Sequence, residues 1–267
     1  MESTQARILI FGSSRANRHY VPEVFEEAWD LDYHNVARDG TGVFYHYAIL
    51  TGILKRYSPH IIVLDLTPRE FDKSQYPYNN LSFLLPYAQR HSEIRSIVEL
   101  RSRYEKLKLL SQIYPFNSYL LSIAKGMLEH EISGQEDNKG YIPLSGKWVL
   151  PMEKAHFPRD TEIDQVRVDY FDRFVSLAQG SGIQVYVIVS PFYQEFDNTP
   201  PSIQIARDIC RDRRVPFFDF SQSDIFHKRP ELFRDTGHLN HEGAQIFSRM
   251  AVSRIQTPDK NAISKVH

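Results

Sequence analysis

Cysteine is almost absent from this sequence of 267 residues, which contains only Cys210. A single thiol excludes an internal disulfide and a thiolate metal cluster, and it is compatible with a reducing or an oxidising compartment. The apolar residues Ile205 and Ile209 lie close to it in the sequence. We therefore expect Cys210 to be packed in the core.

Long apolar runs and an excess of charge are lacking as well. No stretch approaches the roughly 20 apolar residues of a membrane-spanning helix, so the sequence predicts no membrane-spanning helix. The 32 basic and 33 acidic residues leave a formal net charge of -1, which gives no electrostatic reason to expect nucleic acid or an anionic membrane as a partner. The glycine pattern of a P-loop or a dinucleotide-binding turn is also absent, and we expect no cofactor.

The N-terminus carries no recognisable targeting segment. Residues 1–6 are too few and too polar to form a signal peptide. We therefore expect a soluble, cytoplasmic protein, unless an upstream signal or anchor has been removed. The sequence leaves the compartment otherwise open, and it leaves the oligomeric state open too.

Short apolar runs predict the strands of a buried sheet. They are closed by turn-forming or polar residues, and most are rich in β-branched side chains, as in strands that helices cover on both faces. The runs are residues 7–11, 61–66, 183–189 and 215–220, with a weaker one at 32–36.

Apolar residues at helical spacing separate these runs, in residues 43–57, 163–179, 203–213 and 242–255. Strand and helix therefore alternate, which predicts an α/β fold with three α/β/α layers and a mainly parallel sheet of roughly five strands. In such folds the functional groups lie at the carboxyl ends of the strands.

One long interval interrupts this rhythm. We interpret residues 1–267 as a single domain with an insertion at about 72–160, because the interval is too long for a plain connection. Helical patterns at 92–112 and 117–131 predict a helical cap. The glycines and prolines of 134–148 predict a loop or a loose hairpin, which would overhang the site. The polar residues 257–267 are expected to be frayed.

Ser14 is the first candidate for chemistry. It lies directly after the first predicted strand, in the stretch Gly-Ser-Ser-Arg at 12–15, where the chain must turn into a helix. There its side chain can stand at the rim of the sheet and its backbone N–H can face the same space. The alternative is that Ser13 or Ser14 simply caps the helix, which is a common use of serine.

Asp235 and His238 form the second candidate, in an Asp-Thr-Gly-His stretch directly before the last predicted helix. Side chains three residues apart on one turn can meet, so this loop can supply both a base and the carboxylate that orients it. We expect His238 to accept the proton of Ser14 and Asp235 to fix its tautomer. The alternative is a surface acid-histidine pair. His241 follows three residues later, but no third strong ligand lies near it, and no metal site is predicted.

The combination of these motifs resembles the SGNH or GDSL hydrolase superfamily. Residues 12–15 resemble its first block, with Ser14 as nucleophile, and residues 235–238 resemble its last block. The resemblance implies a flavodoxin-like fold. The stretch Asn-Val-Ala-Arg-Asp-Gly at 35–40 resembles the second block, so the backbone N–H groups of Ser14 and Gly40 would bind the oxyanion. Gly42 is the alternative to Gly40.

The third block departs from the family pattern. Where Gly-x-Asn-Asp normally follows the central strand, residues 65–70 read Asp-Leu-Thr-Pro-Arg-Glu. The side-chain oxyanion donor is therefore missing, and Thr67, Arg69, Asn79 or Asn80 are candidates to replace it. Thr67 and Arg69 are also possible substrate contacts. So is Arg15, for which a salt bridge to Asp39 or Asp65 is an equal alternative.

Three functions fit this pattern. The first is a serine-nucleophile hydrolase of small acyl esters, acetyl esters above all, with a small molecule or a carbohydrate as the esterified partner. The second is a polysaccharide O-acyltransferase with the same triad, in which a sugar hydroxyl replaces water. The third is a weak or inactive relative that binds a glycan or a protein.

Overall fold

The computed structural model describes residues 4–111, 114, 138–149, 154–227 and 229–255. Its centre is a parallel sheet of five strands in the order β2-β1-β3-β4-β5. The strands are β1 (Ile8–Phe11), β2 (Tyr33–Asn35), β3 (Ile61–Asp65), β4 (Gln184–Val189) and β5 (Phe217–Asp219). The predicted α/β fold is confirmed, and each predicted strand begins and ends within two residues of the observed one.

Helices α1 (Ser14–His19), α2 (Pro22–Trp29) and α9 (His241–Arg254) cover one face of the sheet. Because side chains alternate along a strand, Ile8 and Ile10 of β1 point to this face. They are packed with Phe25 of α2 and Phe247 of α9 in one buried apolar cluster. Helices α1, α2 and α9 therefore form the first outer layer.

The opposite face carries α3 (Val43–Leu54), α7 (Gln165–Gly180) and α8 (Pro201–Asp212). Leu9 and Phe11 of β1 point to it and share a second cluster with Phe174 of α7 and Cys210 of α8. The Cys210 side chain is buried, as expected, and burial raises the pKa of its thiol to about 12. The four main predicted helices are confirmed with small shifts of their ends.

The described helical segments of the predicted insertion lie between residues 76 and 108. The helical pattern at 92–112 corresponds to three separate segments, α5 (Ser92–Val98), a 3₁₀ turn (Glu99–Arg101) and α6 (Glu105–Lys108). Ser102 breaks the pattern with an extended backbone, φ -162° and ψ 156°. Before these segments lie α4 (Tyr76–Asn79) and a 3₁₀ helix (Asn80–Tyr87). The helix predicted at 117–131 and the tail 257–267 lie outside the described residues.

The predicted loop at 134–148 has no helix or strand in its described residues, 138–148. It runs beside α1 and α9: Ile142 N–H donates to the carbonyl of Asn17, and His241 N–H donates to the carbonyl of Leu144. The organisation as one domain with an insertion stays a prediction. Among the helices of the described residues, none combines the length and the apolar character that a bilayer span requires.

Candidate active site

Ser14 lies where the first strand turns into the first helix. After Phe11, which ends β1, Gly12 adopts φ +148°, a conformation that favours glycine. A Cβ on Gly12 would lie 2.6 Å from the Cβ of Ala16, so glycine lets α1 begin close to the end of the strand. Ser14 is the first residue of α1. Its backbone N–H therefore has no acceptor within the helix.

The two serines do not serve as helix caps. Ser13 occupies the N-cap position of α1, but its side chain makes no capping hydrogen bond. The hydroxyl of Ser14 lies instead against His238, with 2.8 Å between Ser14 Oγ and His238 Nε2. These residues are 224 positions apart in the chain, and the sheet topology brings them together.

Asp235 lies on the other side of the His238 ring. Both of its carboxylate oxygens are 2.9 Å from His238 Nδ1. The carboxylate is acceptor-only when ionised, so His238 Nδ1 carries the proton and Nε2 is left as an acceptor for the Ser14 hydroxyl. The three side chains form the hydrogen-bonded series that activates a serine in acyl-transfer enzymes.

The pKa of the Asp235 carboxyl lies below its ordinary value. Partial burial by itself raises this pKa, but hydrogen bonds from the His238 ring and from the backbone N–H of Gly237 outweigh the effect of burial. Asp235 Oδ1 also accepts the backbone N–H of His238 at 2.9 Å. The carboxylate therefore stays ionised at neutral pH and fixes both the loop and the ring.

A short turn, residues 233–239, carries Asp235 and His238, and we call it the His238 loop. Its two ends, Phe233 and Leu239, pair as an antiparallel bridge. The next residue, Asn240, caps α9 by accepting the N–H of Gly243 at 3.0 Å. The loop is therefore closed at its base and held at the start of a 14-residue helix.

Gly40 lies in a second turn beside Ser14. The turn is closed by a hydrogen bond from Thr41 N–H to the carbonyl of Arg38 at 3.2 Å. Gly40 adopts φ +72°, as a glycine at the third position of a type II turn does. Within the described part of the chain its N–H donates to no protein acceptor. This N–H is therefore free to bind a ligand.

Side chains on both sides hold this turn. Asp39 accepts hydrogen bonds from Arg18 at 2.6 and 2.7 Å and from Asn17 at 2.8 Å. These bonds, with those from Arg18 the strongest, keep the pKa of Asp39 below its ordinary value. On the other side the Asn80 amide donates to the Gly40 carbonyl. Residues of α1 and of the insertion thus fix the backbone at Gly40.

A cavity of about 420 Å³ adjoins the site. It lies between the Gly40 turn, the segment that follows β3, and the start of the insertion. Its lining includes Ser13, Gly40, Gly42, Thr67, Arg69 and Tyr76. Two of the predicted substrate contacts, Thr67 and Arg69, therefore line a cavity that is also lined by Ser13, the residue before Ser14.

Three of the four candidates for a third oxyanion donor have other partners. The Thr67 hydroxyl donates to Glu70 Oε2 at 3.0 Å. Arg69 donates to the carbonyl of His156 at 2.8 Å and pairs with Asp72 at 3.4 Å. The amide of Asn80 is used by Gly40, as described above. The fourth candidate, Asn79, is exposed. Within the described residues the backbone N–H groups of Ser14 and Gly40 have no protein acceptor.

Arg15 does not face a substrate, and this prediction is corrected. Its side chain is buried, with Nη2 donating to the Leu66 carbonyl at 2.5 Å and lying 3.5 Å from Asp65 Oδ1. Its guanidinium also lies 4.3 Å from the centre of the Phe192 ring. The alternative weighed above, a salt bridge to Asp65, is the observed arrangement. Burial raises the pKa of Asp65, and Arg15 partly counteracts that rise.

Sequence reasoning missed His19 and Ser190. Both side chains are fully buried behind the His238 loop, and His19 Nδ1 lies 2.9 Å from Ser190 Oγ. No motif marks them. The one signal was the position of each: His19 is on the helix that begins with Ser14, and Ser190 directly follows β4, at the same edge of the sheet.

Among the described residues, the side chain of His241 contacts Tyr141 and Gln245. Its Nδ1 lies 2.9 Å from the Tyr141 hydroxyl, and its Nε2 lies 3.1 Å from Gln245 Nε2. Among the described residues there is no group of three or more His, Cys, Asp or Glu side chains that could hold a metal ion.

No family model and no curated protein matches this chain by sequence. Its structure is similar to that of an acetyl xylan esterase, with 12% identity over 93% of this chain and 99% of the other and a TM-score of 0.47. It is also similar to an acetyl-xylooligosaccharide esterase from Geobacillus, with 11% identity over 96% of each chain and a TM-score of 0.47.

A third similar structure is a GDSL-like lipase from Bacteroides thetaiotaomicron, with 10% identity over 93% of this chain and 88% of the other and a TM-score of 0.40. At such identities and TM-scores the likeness assigns neither an activity nor a substrate to this chain.

Proposed function

We propose that this protein is a serine-nucleophile ester hydrolase that removes small acyl groups, acetyl above all, from carbohydrate or other small-molecule esters. The observation that carries the proposal is the contact of 2.8 Å between Ser14 Oγ and His238 Nε2, with Asp235 on the opposite ring nitrogen. A capping serine or a surface acid-histidine pair would need no such three-residue series.

In the acylation step Ser14 Oγ attacks the ester carbonyl carbon, and its proton passes to His238 Nε2. The imidazolium that forms is stabilised by the ionised Asp235. As the tetrahedral intermediate collapses, His238 returns this proton to the leaving alcohol oxygen, and the acyl group stays on Ser14 as an ester. The alcohol, a sugar hydroxyl in the case of a carbohydrate, then departs.

The negative charge of the tetrahedral intermediate is taken up by the N–H groups of Ser14 and Gly40. Within the described residues neither N–H has a protein acceptor, and the Gly40 turn is held by Asp39 and Asn80, so the Gly40 donor does not have to be reorganised during the reaction. Loss of one oxyanion donor typically costs about 10²–10³ in rate. We therefore expect a lower kcat than a three-donor site of the same kind would give.

In the deacylation step a second hydroxyl compound attacks the acyl-serine while His238 accepts its proton. If that compound is water, the products are a carboxylic acid and free Ser14. If it is a sugar hydroxyl, the same site is a polysaccharide O-acyltransferase. The triad geometry supports both reactions equally, and the acceptor distinguishes them.

The activity is tested with p-nitrophenyl acetate and acetylated sugars, with Ser14→Ala as the matched control. We expect hydrolysis by the wild type, loss in the variant, and covalent labelling of Ser14 by a fluorophosphonate. Hydrolysis that survives Ser14→Ala, or labelling of another serine, would exclude Ser14 as the nucleophile. Acyl transfer is measured in the same assay by adding an oligosaccharide acceptor and following acylated sugar by mass spectrometry.

The absence of both labelling and turnover in a folded protein would favour the remaining candidate, a binding module. A glycan or protein partner would then be the ligand of the same cavity. The separation of 2.8 Å between nucleophile and base argues against this outcome, because a site that only binds has no need to keep the two atoms in hydrogen-bond contact.

A further inference from the structure

A line of buried polar groups lies behind the His238 loop. The backbone N–H of Leu239 donates to His19 Nε2 at 3.0 Å. His19 Nδ1 lies 2.9 Å from Ser190 Oγ. The Ser190 hydroxyl in turn donates to Asp65 Oδ2 at 2.9 Å, and the Ser190 N–H donates to Asp65 Oδ1 at 3.2 Å. The line runs from the end of β3 to the residue next to His238.

The donors in this line can be assigned without ambiguity. A backbone N–H can only donate, so His19 Nε2 must be the acceptor from Leu239 and the ring proton must be on Nδ1. His19 Nδ1–H then donates to Ser190 Oγ, which leaves the Ser190 proton for the Asp65 carboxylate. Each group is used once as donor and once as acceptor, and Asp65 terminates the line. Its charge is balanced by Arg15 at 3.5 Å.

We propose that His19 is a positioning residue for His238, and that Ser190 and Asp65 hold His19 in the tautomer that this role requires. The proposal rests on the proposed function, because positioning has a catalytic consequence only if His238 is the base. The contact is direct: Leu239 follows His238 in the chain, and the two histidine rings lie edge to face with 6.4 Å between their centres.

The burial of His19 suits this role. The ring is fully buried, and this burial, followed by the nearby side chains of Arg15, His238 and Arg18, holds the pKa of His19 well below its ordinary value. A neutral ring can accept the Leu239 N–H, whereas a protonated ring would present a donor to it. A neutral ring also places no second charge beside the His238 imidazolium that forms during the reaction.

Two amide substitutions at His19 test the roles of its two ring nitrogens separately. The amide of glutamine can occupy the place of Nε2, so His19→Gln can still accept the Leu239 N–H. The shorter amide of asparagine reaches only the place of Nδ1, so His19→Asn leaves that N–H without a partner. We expect His19→Gln to retain most of the wild-type kcat. His19→Asn should lose about 10²-fold in kcat, because small displacements of a catalytic group have effects of that size. KM should change little in either variant.

The pH profile supplies a readout that a purely structural role would not move. If His19→Asn lets His238 move away from Asp235, the imidazolium loses part of its stabilisation, and the acidic limb of kcat/KM shifts to lower pH. His19→Gln should keep the wild-type limb. Equal kcat values and equal limbs in the two variants would overturn the proposal.

Ser190→Ala is the second test and guards against a failure of the His19 variants to fold. It removes one buried oxygen and the acceptor that fixes the His19 tautomer. Ser202→Ala is its matched control, since Ser202 is equally buried, accepts the N–H of Phe71 at 2.9 Å and lies 3.1 Å from Asp72 Oδ1. We expect both to lose similar thermal stability and only Ser190→Ala to lose kcat.

The tautomer itself is measured by ¹⁵N NMR of the imidazole nitrogens. The wild type should show His19 protonated on Nδ1, and Ser190→Ala should show a mixture. A wild-type His19 protonated on Nε2 would overturn the proposal even if the enzyme is active. An inactive wild type, with no labelling of Ser14, would instead overturn the proposed function, so the two failures are distinct.

Discussion

Replacing Asp235 by asparagine should nearly abolish turnover while leaving the fold intact. Asp235 Oδ1 accepts the backbone N–H groups of Gly237 and His238, each at 2.9 Å. An asparagine whose oxygen takes this place keeps both bonds. Its NH₂ group must then lie where Oδ2 stands, which is 2.9 Å from His238 Nδ1.

The size of the effect follows from the tautomer. Oδ1 also lies 2.9 Å from Nδ1, but it already accepts two backbone N–H groups. The NH₂ group and an Nδ1–H cannot face each other as two donors, so we expect His238 to carry its proton on Nε2. Nε2 would then donate to Ser14 Oγ, across the same 2.8 Å, and could no longer accept its proton. The same substitution in a triad of this type lowers kcat by about 10⁴, which corresponds to about 5 kcal/mol in the activation free energy.

The assay is steady-state hydrolysis of p-nitrophenyl acetate by wild type and Asp235→Asn, with urea unfolding of both proteins as the control for folding. Asp235→Ala is the comparison, because it removes the backbone bonds as well and should also lower stability. A loss of less than tenfold in Asp235→Asn, with an unchanged unfolding free energy, would refute the tautomer argument.

Three further substitutions test the surroundings of the site. Gly40→Ala and Gly182→Ala should each cost about 1–2 kcal/mol in unfolding free energy, because both glycines have positive φ. Only Gly40→Ala should also lower kcat, since its Cβ would lie 2.6 Å from the Tyr76 hydroxyl, whereas a Cβ on Gly182 would face open space. Glu70→Gln should cost about 3–5 kcal/mol in urea unfolding, because it leaves the buried Arg167, at 3.4 Å, without its counter-charge. Asp39→Asn should lower the urea midpoint at neutral pH. The folded-state pKa of Asp39 is lowered, so the stability that its carboxylate contributes is lost as the carboxylate is protonated. The difference in midpoint from wild type should therefore shrink below pH 3.8.

The sheet and its helices could be predicted because their signals are local. The runs at 61–66 and 183–189 are apolar on both faces, and such runs are typical of parallel strands covered by helices. The helical pattern at 92–112 is interrupted at Ser102, where the backbone becomes extended. The Ser102 hydroxyl donates to Glu105 Oε2 at 2.9 Å, at the start of the next helix. Apolar spacing does not reveal this break, although a serine three residues before a glutamate is typical of a helix start.

The site was predictable only where a residue type combined with a position in the fold. Ser14 and the Asp235–His238 pair lie at the edge of the sheet where the strands have their carboxyl ends, so we could expect them to meet. His19 and Arg15 could not be assigned in this way. Both are on the six-residue helix α1, and whether a side chain of so short a helix points to solvent or into the interior depends on which residues lie behind it.

Asp65 links the altered third block to the buried side chains of Arg15, Ser190 and His19. Its carboxylate points inward from the end of β3, where it accepts two hydrogen bonds from Ser190 and balances the charge of Arg15. A charge this deeply buried is costly unless it is paired, so Arg15 is required inside and is not available to a substrate. Asp65 at the end of β3 therefore supports His238 through Ser190 and His19. Thr67, which follows the same strand, donates to Glu70 and is not available as a side-chain donor to the oxyanion. We expect an enzyme whose base is held rigidly and whose oxyanion is stabilised by the backbone alone.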